Sequence, residues 1–260
     1  MVFVDRASAL QSCTPELREN SKPVLQKKTV TKLFPLLFSS LHIVDILLDK
    51  TPKMTQTSET TRLLHQVSNP STQNGWIKSI VDRKGKAFTM SLQGTTMNHP
   101  IFAGVKQGNN KYMLHKMNGE ILGFLEKTPR NGETVGYALY QEKRGKNQSE
   151  SHMEALTIRY DIPSIAQTIV EAQPRRATIS VSGKETLRTK EPYKKEKGRR
   201  GLDFHGRGRI ASRKNMQLED QDGRVALQMA KWDKNQFHLD FAYPFDSFDA
   251  FGFALAQFDL

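Results

Sequence analysis

The sequence predicts a mostly β protein, a barrel or curved antiparallel sheet that encloses its own C-terminal helix. Two observations lead to this fold class. From Trp76 onward, short runs rich in aromatic and β-branched residues alternate with turn residues, a pattern typical of antiparallel strands. After the last of these runs, residues 245–258 are apolar around most of the helical circumference. A helix of this kind must be buried, and the preceding strands are the available cover.

Length and composition exclude several classes of protein. The 260 residues suit one large domain or two small ones. The lone cysteine, Cys13, excludes a disulfide scaffold, a zinc ribbon and a Cys-x-x-Cys redox pair. The longest apolar run, residues 33–48, is interrupted by polar residues and is too short to cross a bilayer. We expect a soluble, intracellular chain whose net charge of +12 serves an anionic partner.

Residues 1–75 differ in composition from the rest of the chain. Polar residues and proline dominate residues 51–72, and such a segment cannot bury enough apolar surface to offset its conformational entropy. We therefore predict a disordered leader over 1–75 and a folded domain over 76–260. Within the leader, residues 33–50 have apolar side chains near helical spacing. This short helix packs on the domain or on nothing stable, or it anchors the chain at a membrane surface.

Ten segments of the domain have the composition of β-strands, and turn residues separate most of them. The Asn-Gly pairs at 118–119 and 131–132 favour tight hairpins, because a type I′ turn needs positive φ at both central residues. With a two-residue turn at 118–119, Lys111 lies opposite Glu126. The predicted strands are 77–81, 87–92, 101–105, 112–116, 120–125, 134–141, 153–163, 206–218, 225–231 and 236–243.

Residues 245–258 are the predicted C-terminal helix. Pro244 precedes them and acidic residues follow it closely, which is typical of a helix start. Phe251, Leu255 and Phe258 are among the apolar residues on the helix surface. The segment is short for a membrane span, which takes about 20 apolar residues. The strands of the domain are therefore expected to enclose it.

Residues 201–218 carry a specific sequence pattern. An aromatic-x-Gly-Arg turn leads into Ala-Ser-x-Lys-Asn and a Gln-Leu pair, and the segments 225–231, 237–244 and 248–259 follow in order. This pattern resembles the signature of the tubby family. The residues that carry the resemblance are Phe204, Gly206, Arg207, Ala211, Ser212, Lys214 and Asn215, with Phe251, Leu255 and Phe258 in the helix. The resemblance implies a closed antiparallel barrel of about twelve strands around a central C-terminal helix.

The resemblance also implies a function. Tubby-like domains are non-enzymatic modules that bind phosphatidylinositol bisphosphate and reside reversibly at the plasma membrane, and some are adaptors for ciliary membrane cargo. We therefore expect a cytoplasmic, peripheral membrane protein without cofactor, metal or obligate small-molecule substrate. Its expected partners are phosphoinositide membranes and membrane or signalling proteins, with the cilium or nucleus as alternative locations. The alternative functions are a nuclear, nucleic-acid-associated regulator and an interaction domain that has lost lipid binding.

The family's headgroup motif is only partly present in this chain. The motif has a Lys and an Arg two positions apart after a glycine, and an Asn before a Tyr on the preceding strand. Here Phe124 and Glu126 occupy the two cation positions, and Lys111 occupies the Asn position. Lys111 is either a headgroup ligand or the cross-strand partner of Glu126. The candidate phosphoinositide-binding residues are Lys106, Lys111, Lys127 and Arg130.

Most of the net charge lies in one stretch of the chain. Residues 175–214 contain fourteen basic and four acidic residues, which gives +10 of the total +12. Such clustering favours an anionic partner, either a phosphoinositide membrane or a nucleic acid, although a solvated loop is also compatible with it. Five of these cations follow closely on one another and are named the basic patch: Lys194, Lys195, Lys197, Arg199 and Arg200.

Overall fold

The structure is a computed structural model that describes residues 75–94, 99–129, 132, 134–143, 151–162, 175–194 and 200–260. Apart from Gly75, the predicted leader and its helix at 33–50 lie outside the described residues. Within the described part of the chain, no helix has the length and hydropathy needed to cross a membrane.

The described residues form a mostly β fold. The strands are β1 (Ile77–Lys84), β2 (Ala87–Leu92), β3 (His99–Gln107), β4 (Lys111–Lys116), β5 (Ile121–Lys127), β6 (Thr134–Lys143), β7 (Ser151–Asp161), β8 (Arg176–Val181), β9 (Thr186–Thr189), β10 (Tyr193–Lys194), β11 (Arg200–Gly201), β12 (Met216–Glu219), β13 (Val225–Lys231) and β14 (Gln236–Phe241). The helix α1 (Ser247–Asp259) follows the last strand.

Twelve of these strands close into one antiparallel barrel. Its strand order is β1-β14-β13-β12-β9-β8-β7-β6-β5-β4-β3-β2, and β10 and β11 pair separately in a two-stranded ladder. β1 closes the ring because it pairs with β2 on one side and with β14 on the other, where Ile77 lies opposite Phe241. The predicted closed barrel of about twelve strands is confirmed.

The helix α1 runs through the barrel interior, as predicted. Every residue from 247 to 258 is buried, and Phe251 and Leu255 are wholly inaccessible to solvent. Its start differs from the expectation that Pro244 opens the helix. Asp246 is the N-cap and accepts a hydrogen bond from the backbone N–H of Asp249, so the helix begins at Ser247. The capping side chain sets the start, and Pro244 lies in the turn before it.

Two glycines allow the helix and the barrel wall to approach closely. A Cβ atom on Gly104 of β3 would lie 3.0 Å from the Leu255 side chain. A Cβ atom on Gly252 of the helix would lie 2.6 Å from Leu139 of β6. At Gly104 and Gly252 the backbone itself packs against a leucine side chain, so neither position has room for a larger residue.

The predicted strand at 206–218 is wrong over most of its length. Only Met216–Glu219 is a strand, and residues 202–215 form a loop that we name the signature loop. His205 and Gly206 both have positive φ, which interrupts an extended chain. The prediction also missed β8 and β9. Their buried residues alternate as in a strand, but the many charged residues of the segment 175–214 obscure this alternation in the sequence.

The predicted pairing of Lys111 with Glu126 is correct, although the hairpin differs from the predicted one. The backbone N–H of Lys116 donates to the carbonyl of Glu120, so three residues form the turn instead of two. The longer turn shifts the pairing of β4 and β5 by one residue. A bulge at Leu122 reverses this shift, because His115 pairs with Ile121 but Leu114 pairs with Gly123. Because the bulge reverses the shift made by the turn, Lys111 lies opposite Glu126 as predicted.

Candidate functional site

Polar side chains meet inside one end of the barrel, around the last turn of α1. The carboxylate of Asp259 accepts hydrogen bonds from four side chains on four successive strands. Lys106 of β3 and Tyr112 of β4 donate to its Oδ1, the tyrosine at 2.9 Å. Lys127 of β5 and Tyr137 of β6 donate to its Oδ2 at 3.1 and 2.9 Å. These five residues form the Asp259 cluster.

Strand register explains why these donors converge. Lys106 lies opposite Tyr112, and Lys127 lies opposite Tyr137, so the members of each pair project from the same face of the sheet. In a closed barrel that face is the interior. The last residue of the enclosed helix, Asp259, is therefore within reach of all four.

The charges in this cluster are stable at neutral pH. The Asp259 side chain is only 2% exposed, and burial alone would raise its pKa. Hydrogen bonds from Lys106, Lys127 and the two tyrosines outweigh burial and lower the pKa of Asp259 to about 2. Burial and the charge of Asp259 raise the pKa values of Tyr112 and Tyr137 well above their usual range. The carboxylate is thus ionised, and both phenols keep their protons.

Further cations surround the same end of the helix. Lys214 of the signature loop donates to the backbone carbonyls of Gln257 and Phe258 at 2.8 and 3.1 Å. Arg175, directly before β8, donates from Nη2 to the main-chain oxygen of Leu260, the C-cap residue, at 3.2 Å. The Lys214 contacts satisfy carbonyls that the last helical turn leaves without an intrahelical partner.

Burial and nearby positive charge both affect the Lys214 side chain. Burial lowers the pKa of Lys214 to about 8, and repulsion from Arg175, Arg83 and Arg213 contributes to the shift. The interior rim at this end of the barrel, which we name the basic mouth, therefore combines four cations with the carboxylate of Asp259. The cations are Lys106, Lys127, Arg175 and Lys214, and each of them contacts the last helical turn or the residue after it.

The structure separates the candidate phosphoinositide-binding residues. Lys106 and Lys127 lie together in the basic mouth, where their side chains are 26% and 29% exposed. Lys111 is on a different face of the sheet, on the outside of β4. Its ammonium group lies 3.7 Å from the centroid of the Phe124 ring. Arg130 lies outside the described residues.

The outer face of β5 around Phe124, where the family motif has a cation, is lined by aromatic rings. The Phe124 ring lies 4.9 Å from that of Tyr140 and 5.0 Å from that of His152, centroid to centroid. Lys111 contacts Phe124 and has Glu126 as its register partner. These contacts favour a structural role for Lys111, because a lysine over a ring and beside a carboxylate is already stabilised by its neighbours.

The basic patch is only partly described. Lys194 of β10 and Arg200 of β11 are opposite each other in the two-stranded ladder, so the two ends of the patch lie side by side. Lys195, Lys197 and Arg199 lie outside the described residues. They belong to the segment that connects the paired strands.

The signature loop covers the outer face of β13 and β14. Arg207 forms a bidentate ion pair with Asp240 of β14, at 2.7 Å from Nε and 2.6 Å from Nη2. Gln228 of β13 donates to the same carboxylate at 2.9 Å. The backbone carbonyl of Arg207 also contacts Nδ1 of His238 at 2.8 Å. These bonds hold the loop against the wall of the barrel.

The other signature residues shape the loop or fill the core. The Asn215 side chain donates to the carbonyl of Ile210 and accepts from the N–H of Lys231. Ser212 Oγ accepts from the N–H of Lys214. Gly206 supplies positive φ. The remaining positions are Phe204, which is half-buried beside Gly208, the exposed Ala211, and the buried core residues Phe251, Leu255 and Phe258.

Sequence reasoning missed Asp259, Tyr112, Tyr137 and Arg175 as members of one site. A signal was present in the strand alternation. Lys127 is in phase with the buried Leu125, which places its side chain on the inner face. Asp259 follows the apolar helical surface directly. An inward-facing lysine and an acidic residue at the end of a buried helix together point to an internal ion pair.

Comparisons with known proteins agree with this architecture. A sequence model described as Tub family matches residues 98–260. The chain is 29% identical over 168 residues to Tubby-like F-box protein 2 of Arabidopsis thaliana, covering 51% of this chain and 43% of that protein. It is 46% identical over 56 residues to Tubby-related protein 4 of Mus musculus, covering 22% of this chain and 4% of that protein. The matched part is therefore less than half of each relative's length.

Proposed function

This chain belongs to the Tub family, and on that premise we propose that it is a non-enzymatic, tubby-like protein that binds phosphoinositides at the cytoplasmic surface of the plasma membrane. Its further partners in this proposal are membrane-protein cargo or signalling proteins. The observation that carries the proposal is the concentration of +10 of the net charge in residues 175–214.

The magnitude of the attraction supports a membrane partner. Each lysine or arginine near an anionic membrane surface contributes about 1 kcal/mol. The five cations of the basic patch then supply about 5 kcal/mol, which corresponds to a submillimolar association that salt weakens. This range suits reversible recruitment to a membrane.

The contact surface differs from the one that the family motif implies. Phe124 is packed against Tyr140 and His152, and Lys111 is held over Phe124. The proposal therefore assigns membrane attraction to the basic patch, whose ends are joined by the β10–β11 ladder. The outer face of β4 and β5 has no part in it.

The chemistry of the Asp259 cluster supports a non-enzymatic role. A general acid or base works best with a pKa near the operating pH. Here the pKa of Asp259 is held at about 2, and those of Tyr112 and Tyr137 are raised above their usual range. These groups are suited to holding the helix in place.

Cosedimentation with vesicles tests the proposal. We expect the chain to pellet with phosphatidylcholine vesicles that contain phosphatidylinositol bisphosphate, and to pellet at least tenfold less without that lipid at physiological salt. Replacing the five residues of the basic patch by Gln should lower binding at least tenfold. A matched control replaces five exposed cations elsewhere, Lys84, Lys86, Lys116, Arg159 and Lys234, by Gln and should lower it less than threefold.

Two results would contradict the proposal. Equal pelleting of the wild type on both kinds of vesicle would show that the headgroup is not recognised. Equal binding by the patch variant and the control would show that the patch is not the contact surface. If vesicles do not bind and duplex DNA binds with a steep salt dependence, the nucleic-acid alternative is favoured instead.

A further inference from the structure

Two hydrogen-bond donors at the basic mouth are buried and have no acceptor among the described residues. They are Nη1 of Arg175 and the hydroxyl of Tyr160. Tyr160 is wholly buried, and its ring meets that of Tyr137 at right angles, 6.0 Å between centroids. Buried donors in folded proteins almost always have a partner, so an unpaired set at one place suggests an acceptor from outside the chain.

Strand register places the two donors on one wall. Tyr160 of β7 lies opposite Ala177 of β8, two residues after Arg175. Ala177, Ile179 and Val181 alternate as buried residues, so Arg175 is in phase with the inward-facing side of β8. Both donors therefore belong to the interior side of the barrel, beside the Asp259 cluster.

The basic mouth also has positive charge that its own residues do not neutralise. Its four cations lie beside one acidic side chain, Asp259, which leaves a net side-chain charge of +3 among these residues. The four donors to Asp259 already occupy both of its oxygens. Lys214 donates only to backbone carbonyls. Arg175 donates from Nη2 to the main-chain oxygen of Leu260, and its Nη1 has no partner.

We propose that the basic mouth is an anion site that binds a phosphate group, with Arg175 as its principal ligand. A guanidinium presents a planar fork that matches the geometry of phosphate oxygens, and the neighbouring lysines act as point charges. Tyr160 supplies a hydroxyl donor on the same wall. The phosphate can come from a soluble phosphate ester or from a phosphoinositide headgroup, and both present the same chemistry.

This site is distinct from the surface used by the proposed function. The basic patch lies at 194–200, whereas Arg175 and Tyr160 lie inside the barrel rim. The two inferences assign binding to different residues, although Arg175 and Lys214 also count toward the charge of residues 175–214. They can therefore fail separately.

Calorimetric titration of the full chain with inositol 1,4,5-trisphosphate, in buffer free of other phosphate, tests the site. We expect saturable binding in the micromolar range, weakened at least tenfold by Arg175→Gln and severalfold by Tyr160→Phe. The control is Arg159→Gln, one residue before Tyr160 on the exposed face of β7, and its affinity should stay within twofold of the wild type. Because the Tyr160 hydroxyl has no partner to lose, thermal unfolding of Tyr160→Phe should match the wild type within a few degrees. Arg175→Gln also loses the hydrogen bond from Nη2 to Leu260, so it should remain folded but unfold several degrees lower.

Vesicle cosedimentation of the same variants separates the two sources of phosphate. If Arg175→Gln loses the soluble ligand but still binds phosphoinositide vesicles, the mouth binds soluble phosphate esters. If Arg175→Gln loses binding to the soluble ligand and to the phosphoinositide vesicles, the basic mouth binds the headgroup of the lipid. Unchanged affinity of Arg175→Gln for the soluble ligand, or no binding by the wild type at millimolar concentration, overturns the inference whatever the vesicles show. Failure of vesicle binding alone overturns only the proposed membrane function.

Discussion

Asp240 shows how one buried charge organises the outside of the barrel. Its side chain is 3% exposed, on the outward face of β14 beneath the signature loop. Arg207 neutralises it through two hydrogen bonds, and Gln228 donates a third. Gln217 in turn donates to Gln228 and to the carbonyl of Asp203. The network joins three strands to the loop, and Arg207 is its only cation in the part of the chain that the structure describes.

We predict that Arg207→Met lowers the free energy of unfolding by about 3–5 kcal/mol, because it leaves the Asp240 carboxylate buried without a counter-charge. Urea denaturation followed by circular dichroism measures this loss. Arg209→Gln, on the exposed part of the same loop, is the control and should cost less than about 1 kcal/mol. A loss below 1 kcal/mol for Arg207→Met would show that the loop does not depend on this ion pair.

Only half of this residue-level arrangement was visible in the sequence. The family pattern identified Arg207, but its partner Asp240 is 33 positions away. A pattern of residue types does not specify which distant side chain completes an ion pair. The same limit applies to Lys106 and Asp259, which are 153 positions apart.

Among the elements, α1 has ionic contacts at both ends inside an apolar barrel. Its first turn holds Asp246 and Asp249, with Lys184 of the β8–β9 turn 3.8 Å from Asp249. Lys184 also donates to the carbonyl of Pro244 at 2.6 Å. Burial raises the pKa of Asp249 to about 7, and the nearby charge of Asp246 adds to the increase. At neutral pH the helix start therefore contains a carboxyl group close to its midpoint of titration.

This raised pKa predicts a pH dependence of stability. The folded-state pKa of Asp249 lies above its unfolded value of 3.8, so the folded state holds more protons between about pH 4 and pH 7. The contribution of Asp249 to the free energy of unfolding is fully present below about pH 4 and is lost as the pH rises through about 7. Asp249→Asn should flatten the decline of the unfolding free energy between pH 4.5 and 7.5. Asp161→Asn, at an exposed site, is the control and should keep the wild-type slope. Identical slopes for all three proteins would refute the assignment.

The elements differed in how well their sequences predicted them. The apolar circumference of α1 was sufficient to predict a buried helix, because few other structures can hide so many phenylalanines. The prediction of a strand at 206–218 was wrong because the residue types there suit a strand. In the structure the backbone turns at His205 and Gly206, and this turn places Arg207 beside Asp240. The Asn-Gly hairpin after β4 was placed correctly, but neither the third turn residue nor the bulge at Leu122 has a distinctive sequence signal.

At the scale of the whole molecule, the helix and the barrel depend on each other. Phe258 stacks on Phe88 of β2 and meets Phe237 of β14, while Phe251 stacks on Phe102 of β3. Gly252 abuts Leu139 of β6. The helix thus contacts strands from different parts of the ring, and neither part has a complete core without the other.

We therefore predict that the barrel and its helix unfold in one cooperative transition. Leu255→Ala should lower the thermal midpoint by about 5–15 °C, since a buried Leu→Ala change costs about 2–5 kcal/mol. Circular dichroism and tryptophan fluorescence, which comes from Trp76 before β1 and Trp232 on the outer wall, should report the same midpoint in both proteins. Leu260→Ala, at the half-buried end of the helix, is the milder control. Separate midpoints for the two probes would contradict a shared core.

The pairing of β1 with β14 has a consequence for the synthesis of the chain. Ser79 and Leu239 belong to adjacent strands yet are 160 positions apart. At a translation rate of roughly 5–20 residues per second, β1 waits on the order of 8–32 s for its second neighbour. During that interval the nascent sheet has an unpaired edge and an interior without its helix, both of which promote aggregation. We expect the growing polypeptide to depend on ribosome-associated chaperones until β14 and α1 have emerged.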